Sequence, residues 1–161
     1  MTALKQIARY TLTLYGLQLV MAGLVFLLID WTWVAIPLGL AFLALVWIAG
    51  RSLRGDLDSL PRWSHGIVAL VIGLLWQVPG LLATNRFVRE NSGLSPYDGL
   101  SDLLDFLAET WHLALMPILS AIPAGTVDGY HARYYIALLA CSPVLILLFT
   151  CATLLPRRLG R

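Results

Sequence analysis

Glu109 and His112 stand three residues apart, and Asp105 stands one helical turn before Glu109. On a helix, residues three and four apart share a face. Two carboxylates and an imidazole on one face could ligate a divalent cation, and mixed oxygen and nitrogen donors suit zinc, manganese or iron. Asp128 and His131 repeat the acid-x-x-His spacing farther along. Glu-x-x-His pairs, the spacing of Glu109 and His112, hold di-iron sites in ferritin-like bundles. The pattern is short and recurs by chance. The competing expectation is a solvated polar face on an interfacial helix, with no cofactor.

Arg86 and Arg89 are a second candidate pair. A guanidinium matches lipid phosphate and substrate carboxylate alike. Its plainer reading is a helix end anchored at the membrane interface. Gln18 and Gln77 are the most polar side chains within long apolar runs, so they would line the path if the protein moves a solute. The sequence holds no phosphate-binding glycine loop, nucleophile elbow or His-Glu-x-x-His motif. Its long apolar runs also lack the charged residue that pumps and proton relays use.

The elements that must position these residues are membrane helices. Of 161 residues, 59% are hydrophobic and only 12% charged. A soluble domain carries about 25% charged residues, and one this small could not hide so much apolar surface from water. Four runs, 10–29, 33–49, 66–84 and 134–155, contain no Asp, Glu, Lys or Arg. Each approaches the ~20 helical residues that span a bilayer core. Helices are required because lipid cannot satisfy open backbone groups. The expected fold is an all-α integral membrane protein forming one domain over 1–161. It is a four-helix transmembrane bundle with an additional outer amphipathic or re-entrant helical segment.

That segment lies in the long connection 85–133. Leu103, Leu107, Trp111 and Leu115 recur every four residues, with Asp102, Asp105, Glu109 and His112 expected on the other side. Pro117 and Pro123 interrupt its second half, which argues against a full crossing. Charge gives the same topology. With four spans, Lys5, Arg9, Arg51, Arg54, Arg62, Arg157, Arg158 and Arg161 share one side, against Arg86, Arg89 and Arg133 on the other. Short cytoplasmic segments collect Lys and Arg, so both termini are expected in the cytoplasm of a cell-membrane protein. A crossing by the fifth segment would reduce the asymmetry to six against five.

Smaller features follow. The first apolar run is longer than a signal-peptide core and no cleavage pattern follows it, so it is expected to be a retained helix. Ala35/Gly39 and Ala69/Gly73 permit close helix packing. Cys141 and Cys151 are ten residues apart in one run, too far to pair in a helix. Trp31, Trp33, Trp63 and His65 are expected at headgroup level. The net charge of +2, with no dense basic cluster, does not suggest a nucleic-acid partner. The leading functional expectation is a non-catalytic accessory or scaffolding subunit, whose partners are the lipid bilayer and another membrane protein or a second copy. The alternatives are a membrane enzyme or metal-binding protein with an outer-face site, and a small oligomeric transporter or channel.

Overall fold

The computed structural model describes residues 3–28, 30–91, 110–120 and 132–156, without the side chains of residues 32, 82–91, 120 and 132–139. All regular structure among the described residues is helical. The long helices are α1 (Ala3–Leu27), α2 (Thr32–Asp56) and α3 (Arg62–Asn91). A 3-10 turn (Leu113–Leu115) leads into the short α4 (Met116–Ser120), and α5 (Ala132–Leu154) follows. Three helices are long and apolar enough to cross a membrane: Ala3–Leu27, Trp33–Asp56 and Arg62–Leu81. The described part of α5 adds a shorter apolar stretch, Ala140–Leu154.

These helices outrun the apolar segments from which they were expected. α1 begins seven residues before Tyr10, and α2 continues past Ala49 to Asp56. Backbone hydrogen bonding does not stop where hydrophobicity does. Long cationic side chains such as Lys5 and Arg9 can extend a helix into the headgroup region.

The four long helices form a ring. α1 packs on α2 and α3, and α5 packs on those same two, so α1 and α5 lie diagonally opposite. Contacts fix the directions. Gly66, Gly73 and Gly80 of α3 face Leu154, Ile146 and Ser142 of α5 in that order, so the two run antiparallel. The start of α1, the end of α2 and the end of α5 therefore share one end of the bundle.

Polar contacts tie that end together. Arg9 Nη1 lies 3.3 Å from Asp56 Oδ2. The Tyr10 hydroxyl donates to the same carboxylate at 2.9 Å and lies 3.0 Å from Ser52 Oγ. Arg54 Nη1 donates to the carbonyls of Leu154 and Leu155, both at 2.7 Å, and Arg51 also donates to Leu155. The last turn of a helix leaves its carbonyls without intrahelical donors. Two arginines of α2 thus cap α5, where cations also oppose the helix dipole. At the same end His65 is buried, with Nε2 3.2 Å from the Leu60 carbonyl, and Trp63 is exposed.

The small residues act where packing was expected. Ala35 and Ala69 are buried. A Cβ at Gly39 would lie 3.0 Å from Ile118 Cδ1, and one at Gly73 would lie 3.1 Å from Ile146 Cγ2. The two cysteines are free thiols. Trp31 and Trp33 sit exposed at the tight α1–α2 turn, ring centroids 5.8 Å apart.

Pro79 lies inside α3 and has no N–H to give the Leu75 carbonyl four residues earlier. Tyr15 of α1 supplies the missing donor, its hydroxyl 3.0 Å from Leu75 O. Tyr15→Phe should therefore cost about 1–2 kcal/mol, the penalty of an orphaned carbonyl away from water. Reversible denaturation in detergent or bicelles measures it. A Tyr15→Phe protein as stable as the parent would show that water reaches the Leu75 carbonyl instead.

Candidate functional site

The long helices carry two glutamines and a serine at similar depth. Gln18 lies fifteen residues beyond Ala3, Gln77 fifteen beyond Arg62, and Ser142 twelve before Leu154. At 1.5 Å rise per residue they stand about 18–22 Å from the shared end of the bundle. The hydrocarbon of a bilayer is about 30 Å thick, so in helices that cross it all three would lie at membrane depth. Polar groups there need partners from the protein.

The 110–120 segment brings those partners. It inserts against α1, α2 and α5. Trp111, Ala114, Leu115 and Leu119 are buried, and so is His112, at 1% exposure. This departs from the expected amphipathic split, which set His112 on a solvated face opposite Trp111. The helical path changes at the 3-10 turn Leu113–Leu115, and three surrounding helices leave neither residue on the surface. Irregular backbone is tolerated at such depth because protein, not lipid, surrounds it.

Two consecutive residues stitch the segment to three helices. Gln18 Nε2 donates to the Trp111 carbonyl. Trp111 Nε1 donates to Gln77 Oε1 at 3.2 Å. The Ser142 hydroxyl donates to the same Gln77 Oε1 at 2.9 Å. His112 Nε2 lies 2.9 Å from Ser142 Oγ. The Trp111 ring also packs on Tyr15, centroids 5.1 Å apart. Gly80 makes room for the meeting: a Cβ there would lie 2.7 Å from His112 Cε1, and nearer still to Ser142 Oγ.

The chemistry of each group fixes the proton positions. An indole N–H only donates, so Gln77 must turn its oxygen to Trp111. Ser142 sits against that oxygen and must spend its single proton there. Ser142 Oγ can then only accept from His112, which places a proton on His112 Nε2. A general base would need the reverse, with serine donating to an unprotonated imidazole nitrogen. The His112–Ser142 pair is thus poised as a clasp and not as an activated nucleophile.

Of the residues singled out from the sequence, His112, Gln18 and Gln77 meet in this cluster. Asp105, Glu109, Asp128 and His131 lie outside the described residues. Arg86 and Arg89 lie on the last turns of α3, with their side chains outside the description. No group of three or more His, Cys, Asp or Glu side chains gathers among the described residues. Ser142 and Trp111 carried no signal as site residues. A lone serine in an apolar run and a tryptophan on a hydrophobic stripe both read as packing.

Comparisons with protein-family models, with curated proteins and with solved structures find no match. The fold and the cluster define a helical protein with three candidate membrane spans, in contact with lipid over its apolar surface.

Proposed function

We propose that this protein is a four-span membrane subunit that works without catalysis, by packing against another membrane protein, and that α5 is the fourth span. Both termini then lie in the cytoplasm, which the arginine and lysine distribution supports, and the 110–120 segment is a re-entrant element on the outer side. The clasp-like polarity of the His112–Ser142 pair agrees with a structural role for the interior.

One observation carries the packing role. A glycine inside a helix costs about 1 kcal/mol relative to alanine. Gly39, Gly50, Gly73 and Gly80 each offset that cost with a neighbour that would crowd a Cβ, the nearest at 3.1 Å or less. Gly16 and Gly23 of α1 have nothing within 4 Å. They are seven residues apart and so share one face. Exposed Leu12, Leu19, Val20 and Leu27 flank them. Small residues between large ones let a second helix approach closely, and such approach drives association in lipid. In an accessory subunit the occupant of this face is a helix of a different membrane protein.

Native mass spectrometry after gentle extraction from the source membrane is the test. A stoichiometric protein partner is expected, lost in a Gly16→Ile/Gly23→Ile variant. The alanine variants should behave oppositely in isolation. Gly16→Ala is expected to stabilise the lone chain by up to about 1 kcal/mol, the helix-propensity gain, while weakening association. A chain that flies alone, or partner binding indifferent to isoleucine at both positions, would refute this reading. A homo-oligomer disrupted by the same changes would replace the foreign partner with a second copy.

A further inference from the structure

The clasp leaves two polar atoms over. Gln18 gives its Nε2 to a carbonyl, which can only accept, so its Oε1 must point elsewhere. Gln77 gives its Oε1 to an indole N–H, which can only donate, so its Nε2 must point elsewhere. Neither amide can be turned round without breaking the bond that holds it. Both residues are fully buried, and both remaining atoms lack a hydrogen-bond partner.

The two glutamines lie at one level. Tyr15 of α1 meets Leu75 of α3. Gln18 is three residues above the first and Gln77 two above the second, on helices that run the same way. With 1.5 Å per residue both sit about 3–5 Å outward of that bond, and both are bonded to Trp111. An orphaned polar atom in an apolar interior is costly, and each of the two glutamines bonded to Trp111 carries one. Leucine or methionine would fill the same space without that cost.

We infer that Gln18 Oε1 and Gln77 Nε2 form a binding site for a small uncharged molecule that donates one hydrogen bond and accepts another. The acceptor Oε1 takes the ligand's O–H or N–H, and the donor Nε2 addresses its oxygen. Water has this chemistry, and so does the amide or hydroxyl of a small solute. A charged ligand is disfavoured. The groups bonded to the two glutamines, the Trp111 carbonyl and indole and the Ser142 hydroxyl, carry no charge and supply no counter-ion. This inference stands apart from the packing face on α1, and either can fail alone.

The experiment is proton-detected solid-state NMR of the full chain in lipid, with labelled glutamine side chains. Magnetisation transfer from water, and shifts on titration with acetamide, are read at the Gln77 Nε2 protons. Gln77→Met and Gln18→Met variants assign the signals. Residue-to-residue correlations in the parent assign them if a variant fails to fold. Transfer from water to Gln77, unchanged by acetamide and reduced at least severalfold by Gln18→Met, identifies bound water. A saturable acetamide shift that Gln18→Met abolishes identifies a solute site. Gln77 side-chain protons with no transfer from water and no response to acetamide would overturn the inference.

Discussion

Gly80→Ala should destabilise the bundle by about 3–4 kcal/mol, although it exchanges a poor helix former for the best one. The propensity gain is about 1 kcal/mol. Against it stands a methyl group 2.7 Å from His112 Cε1 and 2.9 Å from Nε2, and closer still to Ser142 Oγ. None of these atoms has an easy retreat. Ser142 is held to Gln77, and Ser142 and His112 hold each other. Overpacking a tight core costs about 1–3 kcal/mol, and each buried polar group deprived of its partner adds about 1–3 kcal/mol. Denaturation midpoints in bicelles measure the sum. Because the clash is local, Ser142→Ala in the Gly80→Ala background should recover part of the loss, a coupling of about 1 kcal/mol or more. Strictly additive effects of the two changes would show that Gly80 and Ser142 do not crowd each other.

Gly50→Ala is expected to cost about 2–3 kcal/mol for a different reason. A Cβ there would lie 2.6 Å from the Phe149 carbonyl oxygen and 2.8 Å from Ala152 Cβ. One neighbour is backbone and the other a methyl stub, so no rotamer change can make room. Relief requires α2 and α5 to part. Parting would also loosen the Thr153 hydroxyl from the Gly50 carbonyl, now 3.1 Å away, and the arginine cap from the end of α5. Overpacking of this kind lies at the upper end of the usual 1–3 kcal/mol. Gly66→Ala is the matched control. Its nearest neighbour would be the flexible Leu154 Cδ2 at 3.4 Å, so the helix gain should prevail. Equal stability of the Gly50→Ala and Gly66→Ala proteins would contradict the close α2–α5 crossing.

Together these expectations separate the glycines that hold the fold from those that wait for a partner. Gly50 and Gly80 fail on substitution because something already occupies the space a side chain would need. Gly16 and Gly23 tolerate it in the lone chain and fail only in association.

How much of this was readable from the sequence depends on the length scale of each signal. Long runs without charge announced the helices, because a bilayer imposes one requirement on every spanning residue. Ala35/Gly39 and Ala69/Gly73 announced close contacts, because small residues at a four-residue spacing have one face to offer. The amphipathic stripe misled. Its period placed His112 opposite Trp111, yet both residues are buried. A period reports two faces only when one neighbour and one solvent are present, and this segment has helices on several sides.

The polar cluster was legible only as fragments. Gln18 and Gln77 stood out as polar residues in apolar runs, which marks them for internal partners. Nothing local could say that those partners are the backbone of Trp111 and its indole, or that Ser142 and His112 would close the network. These groups come from α1, α3, α5 and the inserted segment, with bonded partners up to 93 positions apart in the chain.

By itself, then, the sequence determined that this chain is helical, apolar and suited to a membrane, because composition and run length act residue by residue. Only the tertiary structure decided which polar groups meet, which glycines are crowded, and that Gln18 Oε1 and Gln77 Nε2 are left without a partner. Those depend on how the helices cross, and a crossing is the joint outcome of surfaces that no single segment contains.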